Sequence, residues 1–170
     1  MSGLSGRKSV LIANKDYGRV HKGEITAITC STKDLFTADR YGNLKQFSIV
    51  SQRLIKDFGK IHGGEIWSIA TGGDFLFTSD ETGRVKQFSI SNGSLSRDYG
   101  KVHDGEIWSI ACTNNGQYLF TSDFEGNLKQ FDASRTQLVK DYGKVHEGHI
   151  YSILCTSDSR FCFTSDFEGV

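Results

Sequence analysis

The chain is 170 residues long, which suits one domain or slightly more. Its 20 Lys and Arg balance 20 Asp and Glu, and this balance argues against nucleic-acid binding by bulk positive charge and against a polybasic membrane-binding surface. Hydrophobic residues make up 37% of the chain, enough for a packed core, yet no apolar run reaches the about 20 residues of a membrane span. We therefore expect a globular protein that binds neither nucleic acid nor membranes.

The N-terminal segment divides into a predicted tail, residues 1–8, and a predicted strand, residues 9–16. The apolar run at residues 10–13 is too short for the core of a secretory signal. From residue 9 to residue 170 the sequence predicts one repetitive domain.

One unit of about 42 residues recurs along this domain. A motif of Asp, an aromatic residue and Gly is followed by a histidine, and the histidines are spaced by 41, 41 and 43 residues. Each unit then carries Gly-Glu-Ile (Gly-His-Ile in the last), Phe-Thr-Ala/Ser-Asp and, except in the last, Lys-Gln-Phe. The histidines are His21, His62, His103 and His146, and the units run approximately over residues 18–58, 59–99, 100–142 and, truncated, 143–170.

Within a unit the pattern is that of strands joined by tight turns. In the third unit, β-forming residues at 107–112 and 117–122 flank an Asn-Asn-Gly turn, and residues 128–131 alternate apolar and polar side chains. A fourth strand is predicted at residues 136–141. Four strands in about 42 residues make one blade of a β-propeller.

The third unit resembles a WD40 repeat in its histidine, in Gly105-Glu106-Ile107, in the turn glycine Gly126 and in the spacing of Leu128 and Phe131. The resemblance extends over residues 9–170 and implies an all-β fold built of four-stranded antiparallel blades. With 3.5 to 4 blades, we expect an open or incomplete propeller.

Two departures from the family concern its buried hydrogen-bond network. The signature Trp-Asp is replaced by Phe-Ser or Phe-Asp, and the turn acid of the family is replaced by Tyr41, Thr82 and Glu125. The repeated acid lies two residues earlier, at Asp39, Asp80 and Asp123. Because a buried imidazole and a buried carboxylate both need partners, we predict a modified network that joins the His, Thr and Asp of each unit.

The number of units leaves two interpretations open. A closed ring of this kind usually has about seven or eight blades, whereas this chain supplies about half of that number. Either the chain is a fragment of a longer protein, or copies of it associate as a homo-oligomer that completes the ring.

The cysteines have none of the spacings of a zinc finger or a zinc ribbon. Three of them fall at equivalent points of different units, so we expect reduced thiols at the ends of equivalent inner strands. This composition favours a reducing, cytoplasmic compartment. The four residues are Cys30, Cys112, Cys155 and Cys162.

No motif for catalysis, for a cofactor or for a metal emerges from the sequence. The Asp57-Phe58-Gly59 motif, which would suggest a kinase, recurs as Asp-Tyr-Gly in the other units and is not accompanied by the other kinase motifs, so it is a structural element of the repeat. His146 and His149 are three residues apart, where a helical zinc-protease motif needs four. A propeller enzyme that uses His149 at the channel mouth is a minor alternative.

The candidate binding surface is the rim at which the innermost strands begin. It combines acids with large aromatic residues, and such a surface favours a protein or peptide partner, a basic one in particular. We therefore predict a non-catalytic protein-interaction scaffold; the alternatives are a structural subunit of a larger assembly and simple packing of the aromatic residues between blades. The rim residues are Glu24, Arg40, Glu65, Trp67, Glu81, Glu106, Trp108, Phe124, His149, Tyr151 and Phe167.

Overall fold

The computed structural model describes residues 17–169, and this part of the chain folds into fourteen β-strands without a helix. Accordingly, it holds no helix that could cross a membrane. The strands are β1 (Ile25–Cys30), β2 (Asp34–Asp39), β3 (Asn43–Ser48) and β4 (Leu54–Lys60) in blade 1; β5 (Ile66–Gly72), β6 (Phe75–Asp80), β7 (Arg84–Ser89) and β8 (Leu95–Lys101) in blade 2; β9 (Ile107–Cys112), β10 (Tyr118–Asp123), β11 (Asn127–Asp132) and β12 (Gln137–Lys144) in blade 3; and β13 (Ile150–Cys155) and β14 (Cys162–Asp166) in blade 4.

Each of the first three blades is a four-stranded antiparallel sheet in sequence order, and blade 4 is a two-stranded sheet. The first strands of the blades (β1, β5, β9 and β13) lie side by side along the inside of an open arc. The predicted all-β propeller of four-stranded antiparallel blades is thus confirmed. The tail predicted at residues 1–8 and the strand predicted at residues 9–16 lie outside the described residues.

The outermost strand of blade 3 is longer than the sequence pattern indicates. In blade 3 it was expected at residues 136–141, whereas β12 continues to Lys144 and includes the Asp-Tyr-Gly motif. The unit boundaries near residues 58, 99 and 142 therefore fall inside the outermost strands.

The hydrophobic core consists of separate clusters, one between each pair of neighbouring blades. The Phe of Phe-Thr-Ala/Ser-Asp projects toward the following blade, where it meets two isoleucines of the innermost strand. Phe77, for example, is fully buried in one cluster with Ile107 and Ile110. Stability therefore comes from contacts between adjacent repeats, as in other repeat proteins.

The predicted positions of the cysteines are confirmed. Cys30, Cys112 and Cys155 end the innermost strands of three different blades, and all four cysteines are free thiols. Cys162 faces Cys155 across the two strands of blade 4.

Each blade contains a His-Asp-Thr hydrogen-bond triad, which confirms the predicted modified network. In blade 2, His62 Nδ1 lies 2.9 Å from Asp80 Oδ2, and His62 Nε2 lies 2.8 Å from the Thr78 hydroxyl. Because a carboxylate only accepts hydrogen bonds, Nδ1 carries the proton that is shared with Asp80. The same contacts recur in the other blades, between His21, Asp39 and Thr37; His103, Asp123 and Thr121; and His146, Asp166 and Thr164.

The triad carboxylate also holds the turn that follows it. Asp80 Oδ1 accepts hydrogen bonds from the backbone N–H groups of Thr82 and Arg84 and from the Thr82 hydroxyl. An acid two residues before the family's usual position thus reaches both the histidine and the turn. The signature tryptophan has no polar substitute; in its place Phe88 packs edge-on against Phe58, with ring centroids 5.6 Å apart.

The turn glycine fixes each blade against the next one. Gly83 has a φ of 82°, a conformation that favours glycine, and a Cβ there would lie 2.1 Å from the carbonyl oxygen of His103. The Gly83 carbonyl accepts hydrogen bonds from the backbone N–H groups of Val102 and His103. The triad of one blade is therefore joined to the turn of the preceding blade.

Replacing His103 by alanine should lower the free energy of unfolding by about 1–3 kcal/mol, because it leaves the buried Asp123 and Thr121 without a partner. Urea denaturation followed by circular dichroism measures this change. His149→Ala is the matched control, since His149 lies outside the triads. An effect of His103→Ala no larger than that of the control would contradict a structural role for the triad.

Acid should destabilise the fold through the triad carboxylates. Burial by itself would raise the pKa of Asp80, but hydrogen bonds from His62, the Arg84 backbone and Thr82 lower it to about 2. A carboxyl group whose pKa is lower in the folded chain than in the unfolded chain (about 3.8) stabilises the fold above pH ~4, and this contribution is lost as the pH falls through about 2. Asp123 behaves in the same way.

We expect each of these two carboxylates to contribute about 2 kcal/mol that disappears between roughly pH 4 and pH 2. Denaturation at a series of pH values should show a shallower acid dependence for Asp80→Asn than for the original chain. The exposed turn residue Asp74 provides the control, Asp74→Asn, which should leave the slope unchanged. Equal slopes for the original chain and Asp80→Asn would disprove this assignment.

Candidate functional site: an aromatic rim

The rim is formed where the innermost strands begin and where the second and third strands of each blade turn. The second residue of the innermost strand is Trp67 in blade 2, Trp108 in blade 3 and Tyr151 in blade 4, whereas blade 1 has Thr26 there. The structure thus gathers the large side chains in blades 2–4. We call the aromatic rim the set of Trp67, Trp108, Phe124, His149, Tyr151 and Phe167.

Trp108 lies at the centre of the aromatic rim. Its ring stacks nearly parallel on Trp67, with centroids 5.1 Å apart and an interplanar angle of 11°. On its other side it contacts His149 at 5.4 Å and Tyr151 at 5.3 Å. Phe124 extends this group, with its centroid 5.9 Å from that of Trp108. Side chains that are about 40 residues apart in sequence thereby form one continuous surface.

Two further contacts carry the aromatic rim across blade 4. The ring of His149 stacks on Phe124 with centroids 3.8 Å apart, and its Nδ1–H donates to the Phe124 backbone carbonyl. Tyr151 contacts Phe167 at 6.3 Å. His149 is therefore held by ring stacking and by a backbone hydrogen bond.

The acids of the rim have different surroundings. Glu106 accepts a hydrogen bond from the Trp108 indole N–H at 3.0 Å, so it fixes the orientation of that ring. Glu24 forms an ion pair with Arg40 at 3.1 Å, between two exposed side chains of blade 1. Within residues 17–169, Glu65 and Glu81 join no ion pair. The ring of acids expected from the sequence is consequently interrupted in blade 1.

The aromatic rim is partly packed and partly open to solvent. Trp67 and Trp108 are half-buried between blades, and the Trp67 indole N–H is buried without a hydrogen-bond partner among the described residues. Phe124, Tyr151 and Phe167 are exposed, the last of them by 73%. The two tryptophans therefore fit the alternative in which the aromatic residues simply pack between blades, whereas Phe124, Tyr151 and Phe167 fit it less well.

The sequence did not reveal which rim residues contact one another. The cross-blade pairs of His149 with Phe124 and of Trp67 with Trp108 depend on the angle between neighbouring blades. The sequence also did not reveal the ion pair of Arg40 with Glu24, although both residues were placed on the rim of the first unit.

Two depressions of the surface lie away from the aromatic rim. One, of about 630 Å³, is in blade 1 and is bordered by Arg19, His21, Lys45 and Asp57. A smaller one of about 350 Å³ occupies the equivalent place in blade 3, beside His103 and Asp141. Their recurrence shows that they are features of the blade. Across residues 17–169, no three His, Cys, Asp or Glu side chains are grouped so that they could hold a metal ion.

The family comparison identifies one of the units. The model of the family described as WD domain, G-beta repeat (WD40) matches residues 95–132. These 38 residues resemble a WD40 repeat and are less than half of the chain. They extend from the outermost strand of blade 2 to the third strand of blade 3. No curated protein matches the sequence.

Solved structures show the same fold at low sequence identity. The computationally designed Ika4 protein aligns with a TM-score of 0.75 and 20% identity over 88% of this chain and 89% of its own. RRP9 WD40 repeats align with a TM-score of 0.77 and 13% identity over 86% of this chain. The chain spans about half of the longer neighbours: 45% of the designed Ika8 protein, 46% of U3-55K and 46% of RRP9. The described residues thus share the fold of β-propeller blades arranged in an open arc.

The stacked tryptophans should give an exciton-coupled signal in the far-ultraviolet circular dichroism spectrum, because Trp67 and Trp108 are nearly parallel and are the 2 tryptophans of the chain. Trp67→Phe and Trp108→Phe should each abolish the signal. Tyr142→Phe, on an outermost strand, should leave it unchanged. A signal that survives either tryptophan substitution would contradict the stacked arrangement.

Proposed function

We propose that this protein is a non-catalytic interaction scaffold whose aromatic rim binds a basic protein segment. WD40 propeller folds generally serve as protein-interaction scaffolds. The observation that carries the proposal is the joining of Trp67, Trp108, Phe124 and Tyr151 into one partly exposed surface beside acidic side chains.

The chemistry of the aromatic rim favours a cation. The faces of tryptophan, tyrosine and phenylalanine rings attract the positively charged groups of lysine and arginine, and Trp is the strongest of the three. Glu65 lies two residues before Trp67, and the backbone N–H of Glu81 donates to the Glu65 carbonyl. Both acids add negative charge to the rim without an ion-pair partner of their own among the described residues. A Lys or Arg side chain of a partner would gain from both features, while its aliphatic part would cover the exposed rings.

Other features of the proposal follow from the fold and the composition. The partner is a protein or peptide, no cofactor takes part, and the location is cytoplasmic, as the free cysteines suggest. A second copy of the chain is also proposed as a partner, through a different surface that is described below. The packing of His149 on Phe124 does not favour the alternative of a propeller enzyme.

Oligolysine and oligoarginine peptides should quench the fluorescence of the chain, since both tryptophans lie in the aromatic rim. An oligoglutamate peptide of the same length should have no effect. Glu65→Gln should weaken binding by about 2–5 fold, as expected for one partly exposed charge. Tyr151→Ala, which removes an exposed ring, should weaken binding by about 3–10 fold.

The control neutralises one acidic side chain at the end of blade 2 that lies away from the aromatic rim. Asp74 lies in the exposed turn between β5 and β6, so Asp74→Asn changes the net charge as much as Glu65→Gln does. Equal weakening by these two substitutions would mean attraction to the whole protein rather than to the aromatic rim. Binding that is insensitive to Tyr151→Ala and Glu65→Gln would refute the proposal.

A further inference from the structure

The two ends of the arc expose apolar side chains whose equivalents in other blades are buried. Each blade has a leading face toward the preceding blade and a trailing face toward the following one. On the leading faces, the first isoleucine of the innermost strand is 0% exposed at Ile66, Ile107 and Ile150, whereas Ile25 of blade 1 is 49% exposed. Three positions later, Ile69, Ile110 and Ile153 are 5–7% exposed, whereas Ile28 is 64% exposed.

The trailing face of blade 4 shows the complementary change. Phe36, Phe77 and Phe120 are 0–7% exposed, whereas the equivalent Phe163 is 59% exposed. Opposite Phe163 in the sheet lies Leu154, which is 66% exposed and occupies the position of the buried Ala70 and Ala111. The exposed faces are therefore the leading face of blade 1 (Ile25 and Ile28) and the trailing face of blade 4 (Leu154 and Phe163).

These two faces are the two halves of one interface that the chain already forms three times. In each cluster between blades, the Phe of a trailing face packs with the two isoleucines of the next leading face. Phe163 and the pair Ile25 and Ile28 have the same chemistry and lie at opposite ends of the arc. They are thus complementary to each other, and neither face is complementary to itself.

A hydrogen bond accompanies this packing between later blades. Ser68 Oγ accepts the backbone N–H of Ile110 at 3.2 Å, and Ser109 Oγ accepts that of Ile153 at 3.0 Å. The equivalent hydroxyl at the end of the arc belongs to Ser152, which is exposed, and the equivalent N–H belongs to Ile28. The ends therefore match in polar as well as in apolar groups.

We infer that two copies of this chain associate head to tail, with Phe163 and Leu154 of one copy packed against Ile25 and Ile28 of the other. The contact is heterologous, so a ring closes if the angles allow and a chain of copies grows if they do not. A ring of two is favoured because its second contact forms within the complex, at high effective concentration.

The experiment compares the solution mass of the 170-residue chain with that of variants blocked at one end. Light scattering during gel filtration should give about 38 kDa, twice the 18.9 kDa of one chain, or higher multiples. Ile28→Glu and Phe163→Glu should each reduce the mass to that of one chain. Leu138→Glu, at a 45% exposed position of an outermost strand, is the control and should leave the mass unchanged.

Mixing the two blocked variants provides the decisive measurement. Ile28→Glu keeps an intact trailing face and Phe163→Glu keeps an intact leading face, so the mixture should form a complex of one copy of each. A single-chain mass for the original protein, an equal loss of mass in Leu138→Glu, or no complex in the mixture would each overturn the proposal. Circular dichroism of every variant shows that the blades remain folded.

Discussion

The buried triad of His, Asp and Thr is the interaction on which the rest of the structure depends. It ties the segment before each innermost strand to the second strand, and through the carboxylate it also holds the following turn. The turn glycine then meets the histidine segment of the next blade in van der Waals and hydrogen-bond contact. A single polar arrangement thereby orders each blade internally and sets its position against its neighbour.

The placement of the acid explains how this chain replaces the usual WD40 network. Asp39, Asp80 and Asp123 lie on the second strand rather than in the turn, yet their carboxylates reach the same histidine and also accept the turn N–H groups. The hydroxyl partner is a threonine, and the tryptophan position is filled by a phenylalanine that packs edge-on against the aromatic residue of an outermost-strand motif. The hydrogen bonds of the network are thus made by His, Asp and Thr alone, while the phenylalanine contributes only apolar packing, and the four-stranded blade is retained.

The same repetition that builds the blades also creates the two surfaces of functional interest. The second position of the innermost strand varies between units, and this variation assembles the aromatic rim in blades 2–4 and leaves blade 1 with Thr26. The apolar positions that hardly vary make every inter-blade interface alike, so the free halves at the ends of the arc remain able to pair. In the two proposals made above, the variable positions serve recognition and the repeated apolar positions serve assembly.

The sequence by itself determined the repeat, the all-β blades, the triad partners and the positions of the cysteines, because all of these depend on local periodicity within one unit. The sequence predicted which residues form the rim, but not which of them contact one another. It also did not show that Glu24 forms an ion pair with Arg40 whereas Glu65 forms none among the described residues. Only the tertiary structure decided that His149 stacks on Phe124, that Trp108 joins four rings, and that Ile28 and Phe163 are left uncovered. These features depend on the angle between blades, a geometric relation that residues about 40 positions apart establish only when the blades pack.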